Sequence, residues 1–172
     1  RSNLGVYAIA TIGIINNADE LINQFLSFSG GHLTGMTGGK INSTELTAAL
    51  INQKSSFTEG IRFAQEKVVG SLSILILKED GTIIAARDKV GRLPIVLGKD
   101  SEGHCVSFES FAFEKLDYEF VRELGPGEIV EITPDGIETV SKPQKKMRIC
   151  SFLWTYYGYP NSRYEGVNVE VM

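Results

Sequence analysis

The sequence has 172 residues, 42% of them hydrophobic and 22% charged, and its formal net charge is −4. These values are typical of one globular domain with a core and exclude a disordered or fibrous chain. Acidic and basic residues are interleaved, and no run approaches the roughly 20 apolar residues of a membrane span, so we expect neither a nucleic-acid nor a membrane partner. The two cysteines, Cys105 and Cys150, lack metal-ligand spacing, and their scarcity predicts reduced thiols in a cytoplasmic protein.

The first part of the chain predicts one strand and three helices. Residues 6–12 form a β-rich apolar run typical of a buried strand, and Gly13 is then expected to permit a turn. Caps and apolar residues at helical spacing predict helices over 18–28, from 42 onward, and over 58–69. The glycine-dense stretch 29–39 lacks the G-x-x-x-x-G-K-[ST] pattern, so we interpret it as a surface loop and not as a phosphate-binding loop.

The remainder is rich in strands joined by turns. Strands are predicted over residues 71–77, 82–86, 94–98, 104–108, 129–133 and 137–140, with a short helix over 109–115. Asp80-Gly81 is a strong hairpin signal between the first two of these strands. Because helices cluster early and antiparallel hairpins dominate later, the pattern favours an α+β layered domain over a doubly wound one.

The residues alone do not identify a reaction. Neither His32 nor His104 lies near a serine or cysteine in a nucleophile motif, and Cys105 lies in an apolar strand pattern, where a thiol acts as a small hydrophobe. Three aspartates fall in predicted turns, which explains them without catalysis: Asp80, Asp100 and Asp135. On pattern alone, the sequence predicts an α+β domain of unassigned chemistry.

Four segments together resemble one enzyme family. Residues 86–98, A-R-D-K-V-G-R-L-P-I-V-L-G, are similar to the R-D-x-x-G-x-x-P-L hairpin of class II glutamine amidotransferases, and also to asparagine synthetases. Residues 107–112 resemble that family's S-E-S-x-A segment, and residues 120–128 resemble F-x-R-D-x-x-P-G-E. Residues 149–162 resemble C-x-F-E-x-V-Y-F-x-R-P-x-S, the crossover from the glutaminase domain to the phosphoribosyltransferase domain of amidophosphoribosyltransferases.

The resemblance implies an N-terminal nucleophile hydrolase fold, a four-layer αββα sandwich, which we expect to be incomplete at its N-terminal side. It implies a partial glutaminase domain over residues 1–148 and a crossover segment over 149–172, leading toward an absent phosphoribosyltransferase domain. Members of the family take ammonia from glutamine and pass it to 5-phosphoribosyl diphosphate, forming phosphoribosylamine for purine biosynthesis. The implied partners are glutamine, the transferase domain of the same parent chain and further copies in a homo-oligomer. No cofactor is expected in this chain. Magnesium is expected to bind with phosphoribosyl diphosphate, and only in the transferase domain.

Family roles transfer to two positions of this sequence. The family nucleophile is a cysteine at the mature N-terminus with its own α-amino group as base, whereas this chain starts at Arg1. The family's H-N-G-N-L-x-N segment aligns with residues 11–17, so Gly13 is the candidate for the oxyanion-hole backbone N–H. Ile12 replaces the donor asparagine, a loss that typically costs about 10²–10³ in turnover. Ser43 stands at the position of the aspartate that binds the substrate's ammonium group.

These substitutions leave two hypotheses for function, and this chain alone is expected to be inactive under either. It is a piece of an active amidophosphoribosyltransferase-like enzyme, or its parent carries a degenerate glutaminase domain with a scaffold or regulatory role. A third option, another class II amidotransferase such as an asparagine synthetase, is disfavoured by the crossover motif. The structural alternatives for the two site residues are a turn for Gly13 and a helix cap for Ser43. Uncovered apolar sheet surface is expected to cause association in solution.

Overall fold

The computed structural model describes residues 2–29, 36–37 and 40–172. Arg1 and most of the glycine-dense stretch, including His32, lie outside the described residues, and so does the loop interpretation made for that stretch. In chain order, the elements are β1 Tyr7–Ile15, α1 Ala18–Ser29, β2 Met36–Thr37, β3 Lys40–Ile41, α2 Ser43–Ile51, α3 Phe57–Lys67, β4 Gly70–Lys78, β5 Ile83–Ala86, β6 Val96–Lys99, β7 His104–Ser107, α4 Phe111–Leu116, β8 Glu119–Glu123, β9 Ile129–Thr133, β10 Gly136–Ser141, a π-helical turn at Leu153–Tyr157, β11 Arg163–Tyr164 and β12 Val167–Asn168.

The larger sheet is antiparallel, with the strand order β1-β4-β5-β9-β10. The predicted hairpin between β4 and β5 is confirmed, because Gly81 adopts a φ of +84° and the Asp80 carboxylate accepts the Thr82 N–H at 2.9 Å. Strand β6 begins at Val96, two residues later than predicted, because Pro94 has no N–H to donate to a ladder.

Helices α1, α2 and α3 cover one face of this sheet. Alternate residues of β4 point toward them, and the shared core contains residues from the sheet and from all three helices: Leu21, Leu46, Leu50, Ile51, Ile61, Ala64, Leu72, Ile74 and Ile76. This arrangement follows from period-2 burial on the strand and from the apolar stripes on the helices.

A second antiparallel sheet, with the order β7-β6-β8, covers the opposite face. Its Leu97 and the neighbouring Leu124 pack with Ala85, Val130 and Ile132 of the larger sheet. Helix α4 lies beyond this second sheet, and its buried Phe113 is so close to Gly98 that an added Cβ there would lie 3.1 Å from the ring. The layers therefore run helix, sheet, sheet, helix, and the α+β prediction is confirmed.

Gly13 lies inside strand β1, so the predicted turn at this position is wrong. The strand continues to Ile15, and Gly13 is paired with Leu72 at a φ of +149°. A Cβ at this position would overlap the backbone carbonyl of Ser71. Glycine is therefore required here because two backbones approach closely, which a strand pattern alone does not distinguish from a turn.

The C-terminal segment, residues 149–172, folds back against α4 and β8. Glu165 and Gly166 form the tip of the β11–β12 hairpin, both with positive φ. Tyr164 of this hairpin is fully buried, and the Trp154 ring meets it edge-on at 5.8 Å. Across the ranges that the structure describes, no helix has the length and apolar character needed to cross a membrane.

Candidate functional site

The two residues that carry family roles lie on neighbouring elements. Gly13 is in β1 and Ser43 is the first residue of α2, and the two elements are joined where Thr11 Oγ1 lies 2.6 Å from Thr44 Oγ1. Both Gly13 and Ser43 are exposed to solvent. The fold therefore brings the oxyanion candidate and the ammonium-site candidate to the same accessible edge of the larger sheet.

The backbone N–H of Gly13 is directed toward the open edge of that sheet. Strand β1 is the terminal strand, and the Asn16 N–H donates to the Val69 carbonyl at 2.8 Å. Hydrogen-bonded pairs alternate along an antiparallel ladder, so the register that pairs Asn16 with Val69 assigns Gly13 to the set facing away from β4. This orientation suits a donor for a substrate oxyanion.

Ser43 is not the cap of its helix. The side chain of Asn42 caps α2 by accepting the Thr44 N–H at 2.8 Å, and Ser43 provides a carbonyl that accepts the Thr47 hydroxyl at 2.8 Å. The structural alternative proposed for Ser43 is therefore wrong. Its exposed hydroxyl lies at a helix N-terminus, where the backbone carries partial positive charge, and it offers an ammonium group no negative charge.

Ile12 cannot replace the missing donor. Its side chain is apolar, 39% exposed, and on the face of β1 opposite to Thr11. Together with three other exposed residues it forms what we call the β1 apolar strip: Ala8, Ala10, Ile12 and Ile14. This strip flanks the candidate site on the face that is turned away from the helices.

The residues of the first family segment act as a structural junction. Arg87 is fully buried and donates to the carbonyls of Leu93 at 2.8 Å and Gly91 at 2.9 Å, and also to that of Leu124. The adjacent Asp88 carboxylate accepts backbone N–H groups of the following turn, including that of Arg92 at 2.7 Å. A buried guanidinium with its donors satisfied stabilises a loop and is not accessible to a substrate.

The third family segment is built in the same way. Arg122 donates to both carboxylate oxygens of the buried Glu128, at 2.8 and 3.1 Å. Glu128 also accepts the Gly125 N–H at 2.7 Å, and its carbonyl accepts the Arg87 N–H at 3.0 Å. Two of the segments that carry the resemblance are thus bonded to each other between the two sheets.

Glu109 of the second family segment holds the C-terminal segment. Its carboxylate accepts the hydroxyl of Ser162 at 2.8 Å and that of Tyr164 at 2.8 and 3.0 Å. Sequence reasoning identified these motifs by resemblance but did not assign their function. A structural role could have been predicted from the charged residues that lie beside glycines and prolines in the connections between strands. Such residues often stabilise turns by binding backbone groups.

No second reaction centre is found near the cysteines or histidines of the described chain. Burial raises the pKa of the Cys105 thiol, which disfavours a reactive thiolate. Cys105 and Cys150 form no disulfide with each other in this fold, and their reduced state stays a prediction. Among the residues that the structure describes, there is no group of three or more His, Cys, Asp or Glu side chains able to hold a metal ion.

Comparison with known proteins gives consistent relatives. No family model matches the chain. It is 31% identical to the amidophosphoribosyltransferase of Methanocaldococcus jannaschii over 185 residues, covering 98% of this chain and 39% of that protein. It is 29% identical to the amidophosphoribosyltransferase of Bacillus subtilis, covering 98% of this chain and 34% of the relative. The chain thus spans little more than a third of the length of the relatives it matches.

Solved structures agree with the sequence relatives. The glutamine phosphoribosylpyrophosphate amidotransferase of Bacillus subtilis, complexed with ADP and GMP, matches with a TM-score of 0.84 and 26% identity, covering 98% of this chain and 36% of that one. A structure described as the allosteric regulatory enzyme of purine biosynthesis matches with a TM-score of 0.83 and 26% identity.

The chain has the N-terminal nucleophile hydrolase fold of the glutaminase domain in these structures. Its two antiparallel sheets are layered between helices, and a glycine N–H lies at the open sheet edge beside a helix N-terminus. Within that class, the chain is homologous over 98% of its length to the N-terminal glutamine amidotransferase part of amidophosphoribosyltransferases.

Proposed function

We propose that this chain is part of the glutamine-hydrolysing domain of an amidophosphoribosyltransferase-like enzyme, which supplies ammonia from glutamine for phosphoribosylamine formation in purine biosynthesis. The observation that carries the proposal is the match to such enzymes over 98% of the chain. The placement of Gly13 and Ser43 at one accessible edge, bridged by the Thr11–Thr44 contact, supports it. The similarity to amidophosphoribosyltransferases favours this function over that of an asparagine synthetase.

In this proposal, the residues of the chain bind and polarise the substrate but do not attack it. The Gly13 N–H donates to the oxygen of the glutamine side-chain carbonyl, where negative charge develops during acyl transfer. The Ser43 hydroxyl accepts a hydrogen bond from the α-ammonium group. We propose that neither Cys105 nor Cys150 serves as the nucleophile and that the 172 residues by themselves are inactive. The N-terminal side of the sandwich is likewise proposed to be incomplete.

The remaining partners follow from the same proposal. A phosphoribosyltransferase domain of the same parent chain would receive the ammonia, and magnesium would accompany phosphoribosyl diphosphate there. No cofactor is proposed for this chain. Residues 149–172 are proposed to lead from the glutaminase domain toward the transferase domain, although they also pack on the first domain through Glu109. A cytoplasmic location is proposed because the sequence has only two cysteines.

Glutamine hydrolysis by the protein in its full-length form tests the proposal. Turnover in the ordinary enzyme range of about 1–10³ s⁻¹ is expected if the site is active. Ammonia release should be measured with and without phosphoribosyl diphosphate, because a coupled enzyme responds to its acceptor. Absence of glutamine turnover in a folded full-length protein would contradict the proposal.

A second candidate function is a degenerate glutaminase domain that acts as a scaffold or regulatory partner. Two observations favour it: an isoleucine at position 12, where a donor is needed, and an uncharged serine at position 43 beside a helix N-terminus. In that case full-length protein would use free ammonia to make phosphoribosylamine, while glutamine would not support the reaction. Glutamine turnover near ordinary rates excludes this candidate.

Ser43→Asp tests the assigned role of this position in the active case. A carboxylate at Ser43 would form a charge-assisted hydrogen bond to the ammonium group, so we expect the KM for glutamine to fall about tenfold with kcat little changed. Thr58→Asp is the matched control, since it adds the same charge in the first turn of α3 instead of α2. An equal fall in KM for both variants would show a general charge effect and contradict the assignment.

A further inference from the structure

A cavity of about 570 Å³ lies on the outer side of the second sheet, between α4, β8 and the β11–β12 hairpin. Its volume is in the range of small-molecule sites. It shares no lining residue with the Gly13–Ser43 edge, so a role for this cavity is independent of the glutamine site proposed there. Its lining combines the apolar side chains of Phe113, Phe120 and Val121 with charged side chains, among them Glu123 and Glu165.

The charges around the cavity leave carboxylates in excess. Arg122 is neutralised by Glu128 at 2.8 Å, and Glu165 by Arg87 at 2.7 Å. Glu114, Glu123 and Arg163 remain, and the Glu114 carboxylate accepts an amide hydrogen bond from Asn161 at 3.3 Å. Within the described chain, Glu123 has no ion-pair partner, and its two oxygens accept the Glu165 N–H at 2.9 and 3.1 Å.

Glu114 and Glu123 are the two lining carboxylates without an ion pair among the described residues, and Glu123 is the less exposed of them. Burial raises the pKa of Glu123 to about 7, the nearby Glu165 carboxylate contributes to the rise, and Arg87 offsets it in part. The charged and titratable groups around it are Arg87, Glu114, Tyr118, Arg122, Arg163 and Glu165. A buried carboxylate that is costly to ionise by itself becomes easier to ionise when a cation is placed beside it.

We propose that this cavity binds a small organic cation, an amine or guanidinium group carried on an aromatic or aliphatic body. The cation lies against Glu123, and the body packs on Phe113, Phe120 and Val121. An anionic ligand is disfavoured because carboxylates outnumber guanidinium groups in the lining: Glu114, Glu123 and Glu165 stand against Arg122 and Arg163, and Arg122 is already paired with Glu128. A neutral apolar ligand would leave the Glu123 carboxylate with the Glu165 N–H but with no cation beside it.

The test is a titration of the 172-residue chain with 2-phenylethylamine, followed by amide chemical shifts in NMR spectra. The matched probe is 2-phenylethanol, which has the same body without the charge. We expect shifts at Val121, Gly166 and their neighbours for the amine and at least about tenfold weaker binding of the alcohol. The amine stays protonated, since its pKa is near that of lysine at about 10, so affinity should rise about tenfold from pH 6 to pH 8 as Glu123 ionises.

Variants assign the effect to the cavity. Glu123→Gln keeps an acceptor for the Glu165 N–H but removes the charge, so it should abolish both the preference for the amine and its pH dependence. Phe120→Ala, a change at an exposed side chain, should weaken the amine and the alcohol alike, and it serves if Glu123→Gln fails to fold. Glu119→Gln on the same strand, outside the cavity, should bind as the wild type does. Equal binding of both probes to the wild type, or amine binding unchanged in Glu123→Gln, would overturn the proposal.

Discussion

Arg87 illustrates how a residue can identify a family and yet take no part in its chemistry. Its guanidinium is fully buried and bonded to three backbone carbonyls and to Glu165. The planar fork of arginine fits several carbonyls at once, which a lysine ammonium cannot do. The resemblance therefore detects a scaffold that positions the candidate site, while the site residues themselves have diverged at Ile12 and Ser43.

Arg87→Lys is expected to lower the free energy of unfolding by about 2–4 kcal/mol. The substitution leaves buried carbonyls without donors and places a strongly hydrated ammonium in the interior. Urea denaturation followed by circular dichroism measures the change. Arg62→Lys on the exposed surface of α3 is the control and should shift stability by less than about 0.5 kcal/mol. Similar small shifts for both variants would contradict the junction role of Arg87.

Gly13→Ala is expected to destabilise the fold by at least about 2 kcal/mol. An added Cβ would overlap the Ser71 carbonyl, and a φ of +149° is strained for any residue other than glycine. Gly136→Ala, in a strand with open space around the Cβ position, should change stability little. Comparing the urea midpoints of the two variants separates the effect of the Cβ overlap with Ser71 from the effect that any glycine-to-alanine change has. A tolerated Gly13→Ala would contradict the strand geometry found at this position.

At the scale of elements, local chemistry predicted much of the structure. The Asp80-Gly81 hairpin, the start of α2 next to Asn42 and the strands Ile129–Thr133 and Gly136–Ser141 follow from turn residues, polar helix starts and alternation, which act over a few positions, although the cap was assigned to Ser43 instead of Asn42. The contact between Thr11 and Thr44 could not be predicted, because it joins residues 33 apart in sequence through tertiary packing. The conformation of Gly13 was missed for the same reason.

The β11–β12 hairpin is held by Glu123, which makes its docking sensitive to pH. The raised pKa of about 7 means that the folded chain binds a proton at Glu123 that the unfolded chain, with a pKa near 4.5, releases. Between these values the folded state holds more protons, so stability falls as pH rises. The contribution of Glu123 is complete below pH 4.5 and lost as pH passes through about 7.

Glu123→Gln should therefore flatten the pH dependence of stability. Between about pH 5 and pH 8 the wild type is expected to lose more unfolding free energy than the variant, because the neutral amide has no charge to develop beside Glu165. Denaturant unfolding at several pH values gives the difference. Glu119→Gln, at an exposed site whose contact with Lys99 is 3.8 Å, should follow the wild-type curve. A steeper decline in Glu123→Gln than in the wild type would show that the sign is wrong.

At the scale of the whole molecule, the four layers are joined by motif residues, but along the terminal strand β1 the face turned away from the helices is exposed within the described chain. The β1 apolar strip is exposed at the terminal strand, and Ile14 within it is 68% exposed. An apolar sheet face beside an unpaired strand edge favours association, because a second copy would bury the apolar surface and also pair the free backbone N–H and C=O groups. The same edge carries the candidate site, so self-association and access to Gly13 compete.

The isolated chain is accordingly expected to form oligomers, and Ile14→Lys to shift them toward monomer. Placing a charge in a buried contact removes about 1.5–3 kcal/mol of apolar burial, so the association constant should fall at least about tenfold. Light scattering over a range of concentrations measures the association constant.

Leu116→Lys is the matched control, with 66% exposure on a different face, and should leave association unchanged. Because β1 would be covered in the oligomer, its amides should also exchange more slowly with solvent at high concentration than at low. A wild type that is monomeric at every concentration would contradict association through the strip, whereas equal effects of both lysine variants would place the contact elsewhere on the surface.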